Sequence, residues 1–141
     1  MTFIDPVLNQ FAAGLFLLRV TAGALFFFQG YDKIFKLGTS QVLDTVIDPL
    51  KKTLLPNGAV RPMVALSSWI ELICGVLLAL GLLRDYALYA LSVDLIIVAV
   101  MFSSIKAMWD MQFYFPRFVM VLALLLLPAA DDLYRLDSLI K

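Results

Sequence analysis

MVALSSWIELICGVLLALGLL runs from Met63 to Leu83, Arg84-Asp85 follow, and YALYALSVDLIIVAVMF runs from Tyr86 to Phe102. A bilayer crossing takes about 20 apolar residues, so this stretch is too long for one crossing. A charged pair cannot sit cheaply at the bilayer centre. The stretch therefore predicts two helices joined by a tight hairpin at Arg84-Asp85, just after Gly81. The apolar residues run continuously instead of alternating. Only helices and closed barrels satisfy the backbone in lipid, and a continuous run selects helices.

Two further apolar runs flank the hairpin. Phe11–Phe28 holds one charge, Arg19, and Phe113–Ala130 holds one charge, Arg117. At about 1.5 Å per residue, such a run spans roughly 27 Å, near the thickness of a bilayer core. The expected fold is an all-α integral membrane protein, a four-transmembrane-helix bundle in a single domain over 1–141, with helices near 11–28, 63–83, 86–102 and 113–130. The first run does not read as a cleaved signal peptide. Met1–Gln10 has no Lys or Arg, and Gln29-Gly30-Tyr31-Asp32 is no small-x-small cleavage site. Short connections make neighbouring helices antiparallel. The long connection is Gln29–Pro62, where Val42, Leu43, Val46, Leu50 and Leu54 keep a helical spacing. That spacing predicts a short amphipathic interfacial helix from Ser40 to about Leu55, bent at Pro49. A plain extramembrane loop is the alternative.

Composition supports a membrane chain. Of 141 residues, 62% are hydrophobic and 16% charged, with mean hydropathy +0.94, against about 45–50% and about 25% in soluble domains. Eleven basic residues balance eleven acidic ones, which leaves no basic footprint for nucleic acid. There is no histidine, and Cys74 is the single cysteine. Bis-His haem, His-ligated metal, an intramolecular disulfide and a CxxC pair are thereby excluded. No metal site and no autonomous catalytic site is expected, so a redox role has to borrow its redox centre.

Lys and Arg in the loops set orientation. Lys33, Lys36, Lys51, Lys52, Arg61 and Lys106 fall on one side, and Arg84, Arg135 and Lys141 on the other. The first side is expected to be cytoplasmic and both termini extracytoplasmic, in the inner membrane.

Each run carries one charge: Arg19, Glu71 and Asp94 near the middle of theirs, and Arg117 near one end, from where it can snorkel. An unpaired charge at the bilayer centre costs roughly 2.5–3.5 kcal/mol on insertion scales, so these four are expected to face one another. Depth suggests Arg19 with Glu71 and Asp94 with Arg117. The other arrangement is Arg19 with Asp94 and Glu71 with Arg117. Such a network either fixes helix register or lines a polar ligand cavity, in which Arg19 donates to a carbonyl and a carboxylate relays a proton. Small residues share these faces and allow close helix approach: Gly23 and Gly30 follow Arg19 on a stripe that Lys33 extends, and Gly75 and Ala79 follow Glu71, with Gly81 as a further helix-packing glycine. Phe26, Phe27, Phe28, Trp69, Trp109, Tyr114 and Phe115 read as lipid or interface contacts. Met101, Met108, Met111 and Met120 read as lipid-facing, and Cys74 as a packing residue.

Arg19-x3-Gly23-x6-Gly30-x2-Lys33 and Glu71-x3-Gly75-x2-Leu78-x2-Gly81 resemble the DoxX/DoxD-like family of small four-helix membrane proteins. The tail Pro128–Asp137 is similar to a worn form of that family's Gly-Pro-Gly…Ser-x-Asp ending. Two departures stand out. Gln29 occupies a place where members often carry His, and Ala129 and Ala130 replace tail glycines. The resemblance implies association with a terminal quinol oxidase, thiosulfate:quinone oxidoreductases or soluble redox and sulfur-transfer enzymes. It also admits assembly or trafficking factors. The expected function is an accessory, quinone-linked membrane subunit of an oxidoreductase system, with a quinone as ligand and a redox enzyme or a second copy as partner. The alternative is a non-enzymatic assembly or interaction factor.

Overall fold

The computed structural model describes residues 6–38, 41, 57–105 and 114–140. Its long elements are α1 (Pro6–Tyr31), α2 (Asn57–Leu80), α3 (Arg84–Ile105) and α4 (Phe115–Leu126). A π-helical turn, Asp32–Lys36, continues α1, and the tail adds a 3-10 turn, Ala129–Asp131, and a last short helix α5, Asp137–Ile140. Among the described residues there is no strand. The expected interfacial helix at 40–55 lies, apart from Gln41, outside the described residues.

Three helices are long and apolar enough to cross a membrane: Asn9–Lys36, Gly58–Leu80 and Arg84–Ser103. These are the spans expected near 11–28, 63–83 and 86–102, each extended at one end or both. The fourth apolar helix is shorter, Phe115–Leu126. It stops before Ala130 because Pro128 disfavours helical backbone in the residue before it. Leu127 is accordingly extended, with φ −89° and ψ 133°.

Each long helix packs on its chain neighbours, and α4 closes the ring onto α1. The core between them holds Leu15, Ala22 and Phe26 of α1, Cys74 and Leu78 of α2, Leu88, Leu91 and Leu95 of α3, and Val121 and Leu124 of α4. The outer faces carry Leu17, Phe28, Leu66, Ile73, Tyr89, Ile96, Val100 and Leu126, all exposed, as a lipid-solvated bundle requires.

The α1–α2 contact is the tightest. A Cβ on Gly23 would lie 2.6 Å from the Ala79 backbone nitrogen and 2.7 Å from the Gly75 carbonyl oxygen. One on Gly75 would lie 2.5 Å from the Phe27 nitrogen, and one on Gly30 2.5 Å from the Leu72 nitrogen. The two backbones therefore touch along about two turns of helix, at positions where no side chain fits.

The α2–α3 turn ends α2 in a Schellman motif. The Gly81 N–H donates to Leu78 O at 3.1 Å and the Leu82 N–H to Leu77 O at 2.9 Å. Gly81 takes the left-handed conformation this requires, φ +70°.

Candidate functional site

The buried charges form two clusters, one at each end of the apolar core. Arg19 and Lys33 mark them on α1, and their fourteen-residue separation puts them roughly 21 Å apart along the helix.

The first cluster surrounds Asp132, which follows the 3-10 turn after α4. Arg19 Nε lies 2.9 Å from Asp132 Oδ2 and Arg84 Nε lies 3.4 Å from the same oxygen. The Arg19 and Asp132 side chains are both 0% exposed. These are charge contacts without aligned N–H···O geometry, so Asp132 accepts no hydrogen bond from either guanidinium. The remaining guanidinium nitrogens donate to helix-end carbonyls, to a carbonyl of the tail and, for Arg84 Nη1, to Asp85 Oδ1 at 2.9 Å. Arg19 Nη1 donates to Leu78 O at 2.9 Å and Ala79 O at 2.6 Å, and Nη2 to Tyr134 O at 3.0 Å. Arg84 Nη2 donates to Leu124 O at 2.7 Å. Each arginine thus satisfies orphan carbonyls at the C-terminus of a helix, the negative end of its dipole. Gly81 makes room, since a Cβ there would sit 2.8 Å from Arg19 Nη1.

The tail closes this end. The Asp137 N–H donates to Gly81 O at 3.1 Å. Its carboxylate accepts from the Leu83 and Arg84 backbone N–H groups at 2.9 and 3.2 Å. Asp137 is in effect a distant N-cap for α3.

The pairing of Arg19 with Glu71, expected from depth, is not formed. The close α1–α2 contacts set the register, with Gly23 against Gly75 and Ala79 and Gly30 against Ser68 and Leu72, and α2 ends at Leu80. Arg19 therefore lies level with the end of α2, not with its middle. Glu71 takes Lys33 instead, with Nζ 2.7 Å from Oε2.

Lys33, Glu71, Asp94 and Arg117 make the second cluster. The Glu71 side chain is 3% exposed, and Arg117 and Asp94 both act on it electrostatically. Asp94 is 1% exposed. The expected Asp94–Arg117 ion pair is absent among the described residues. The Ser67 hydroxyl approaches the Asp94 carboxyl instead. Neither Ser67 Oγ nor Asp94 Oδ2 completes a hydrogen bond, and Gln29 Oε1, one turn before Lys33, is likewise buried without a partner. Lys33 lies in the π-helical turn, a feature that recurs at functional sites.

Beside these groups lies a cavity of about 60 Å³ between α2 and α3. Lys33 and Ser67 form its polar end, and Met63, Val64, Ile97 and Phe102 contribute to its apolar wall. Unsatisfied buried polar atoms next to a cavity are uncommon and need an explanation. The group can hold a ligand through donors at Lys33 and Ser67 and an acceptor at Asp94. Among the described residues no cluster of His, Cys, Asp and Glu could hold a metal ion.

A family model for DoxX matches residues 14–104. The chain belongs to the DoxX family. None of the curated proteins or solved structures compared with it matches. The match in this DoxX chain takes in Arg19, Lys33, Ser67, Glu71, Arg84 and Asp94, but stops short of Arg117 and Asp132. Three of the four charges singled out in the sequence, Glu71, Asp94 and Arg117, gather at one site, and Arg19 belongs to the other. Gly23, Gly30 and Gly75 line the α1–α2 contact, and Gly81 lies at the Arg19 end.

Sequence reasoning missed Ser67 as a site residue and Asp132 as the arginine partner. A serine one turn before Glu71 on the same helix face was a usable signal for the first. Asp132 had a weaker one, an acidic residue directly after the last apolar run.

Proposed function

We propose that this DoxX-family protein is an accessory, quinone-linked membrane subunit of an oxidoreductase system, and that the cavity bordered by Lys33 and Ser67, with Asp94 behind Ser67, receives the quinone headgroup. The observation carrying this reading is that Ser67 Oγ and the neighbouring Asp94 Oδ2 are buried and complete no hydrogen bond, even with each other, where Ser67 borders an apolar-walled cavity. Donor chemistry fits the headgroup. Lys33 and Ser67 would hold a quinone carbonyl, and Asp94 would accept from a quinol hydroxyl. When bound, the group supplies a two-electron, two-proton couple that the chain's own side chains lack. About 60 Å³ holds only about two to four waters, so the flexible Met63 and Met101 side chains have to move for a ring to enter. Glu71 keeps Lys33 in place, and Arg117 balances the two carboxylates.

The same reading has four membrane crossings, with α4 as the shortest, in a bacterial inner membrane. Both termini are extracytoplasmic, supported by the Lys and Arg excess around Lys33, Lys36 and Arg61. The partner is a redox enzyme or a second copy of the chain.

A photoreactive benzoquinone probe in mild detergent tests the ligand. Crosslinks are expected on the segments Met63–Ser67 and Ile97–Phe102, and should be lost in Ser67→Ala and Asp94→Asn variants that remain folded. Crosslinking that is absent, or unchanged in both variants, overturns the quinone reading. If a redox enzyme still co-purifies, the non-enzymatic assembly factor becomes the better account.

A further inference from the structure

We propose that the groove at the Arg84 end of the bundle binds the zwitterionic headgroup of a phosphoethanolamine lipid, with Arg135 on the phosphate and Asp85 and Asp137 on the ammonium. This site lies at the opposite end of the bundle from the Lys33 cavity and does not depend on it.

The groove has a volume of about 260 Å³. At about 30 Å³ per water-sized group, that is room for roughly eight such groups, the size of a phosphate, two carbons and an ammonium. Its place in the bilayer follows from α3. This helix begins at Arg84, and its first turns expose Tyr86 at 75% and Tyr89 at 62%. Tyrosines on the outer face at the start of a span mark the headgroup level.

The polar lining is the second observation. Arg135 makes no side-chain hydrogen bond or ion pair among the described residues, whereas Arg19 and Arg84 are both held by carbonyls and by a carboxylate. Its backbone is held in place. A Cβ on Gly81 would lie 2.8 Å from the Arg135 Cα, and Leu136 and Asp137 donate to Leu80 O and Gly81 O. The guanidinium is thus a pre-positioned cation on a clamped segment, suited to bidentate contact with phosphate oxygens. Facing it are two carboxylates. Arg84 Nη1 occupies Asp85 Oδ1 at 2.9 Å, and the Asp85 side chain is otherwise exposed. Asp137 is fixed by two backbone N–H groups.

One free cation beside two carboxylates selects among headgroups. A free phosphate or an anionic lipid meets Arg135 but is repelled by Asp85 and Asp137. A primary ammonium brings three N–H donors to those carboxylates, and a quaternary ammonium brings none. Leu83 and Ile140, both exposed on the groove rim, offer apolar contact for the start of the acyl chains.

Native mass spectrometry of the purified full chain tests this with phosphatidylethanolamine, phosphatidylcholine and phosphatidylglycerol added in equal amounts, and with inorganic phosphate in a separate arm. Phosphatidylethanolamine retention is expected to exceed each competitor about tenfold. Loss of one charge-assisted contact is expected to reduce it about tenfold, in Arg135→Gln and in Asp85→Asn alike. Asp85 is exposed, so Asp85→Asn decides the matter if Arg135→Gln does not fold. Equal retention of the choline lipid, stronger retention of the glycerol lipid, binding of inorganic phosphate alone, or unchanged retention in Asp85→Asn overturns the proposal.

Discussion

Substituting Asp132 should destabilise the bundle more than any other single charge removal. Its carboxylate faces Arg19 at 2.9 Å and Arg84 at 3.4 Å, with Arg19 and Asp132 at 0% side-chain exposure and Arg84 at 3%. At an effective dielectric near 20, the attraction at such distances is about 5 kcal/mol per pair. Desolvation cancels much of this in the intact protein. It offers no relief once the acid is gone, because both guanidiniums stay tied to helix carbonyls. Stranding a buried charge costs about 3–5 kcal/mol, out of a typical total near 5–15 kcal/mol. Asp132→Asn keeps the volume and removes the charge, so it separates electrostatics from cavity formation. Denaturant titration of the purified chain in detergent micelles reads the loss, and a double-mutant cycle with Arg19→Met reads the coupling. An Asp132→Asn variant within about 1 kcal/mol of the parent, or strict additivity in the cycle, would refute an Asp132-centred cluster.

The second cluster makes a contrasting prediction. Lys33→Met and Glu71→Gln should couple by about 0.5–3 kcal/mol, while Arg19→Met and Glu71→Gln should add within about 0.5 kcal/mol, as expected of sites with no shared partner; the same titration measures both. Gly75→Ala should cost about 1–3 kcal/mol by overpacking, although alanine is the better helix former, and a stabilised variant would mean that α1 and α2 do not touch there. For orientation, Ser138→Cys in a Cys74→Ser background should react with an impermeant maleimide on intact cells, and Gly58→Cys only after permeabilisation. The reverse pattern would invert the topology.

How far the sequence could be read differed between the helices and their contacts. The runs around Leu15, Leu78 and Leu91 located three spans because lipid leaves a continuous apolar signal that needs no partner to be seen. Membership of the DoxX family was legible too, in the Arg19–Lys33 and Glu71–Gly81 spacings. Charge pairing was not, because it depends on where each helix ends. Pro6–Gln10 looks too polar for a span, yet it extends α1, and the packing of Gly23 on Gly75 and Ala79 leaves Arg19 away from the level of Glu71. Lys33 sits beyond the apolar run and looked like a loop cation, but the π-helical turn brings its ammonium to Glu71. Asp132 lies beyond the last apolar run, in the tail Pro128–Asp137, where no apolar pattern marks it as buried. Only the fold-back of that tail, set by Pro128 and by the bonds from Leu136 and Asp137 to the α2 end, carries it into the core.

The use of one late residue to neutralise two early ones bears on biogenesis. A ribosome adding about 5–20 residues per second makes Asp132 on the order of ten seconds after Arg19, and some seconds after Arg84. During that interval Arg19 has no carboxylate partner and Arg84 has only the exposed Asp85, and the carbonyls of the α2 end and of α4 are the other partners within reach. A chain arrested before Asp132 would display one uncompensated guanidinium, that of Arg19, and a second held only by Asp85, a ready mark for membrane quality control. Completion of the tail removes that mark and locks the bundle in the same event.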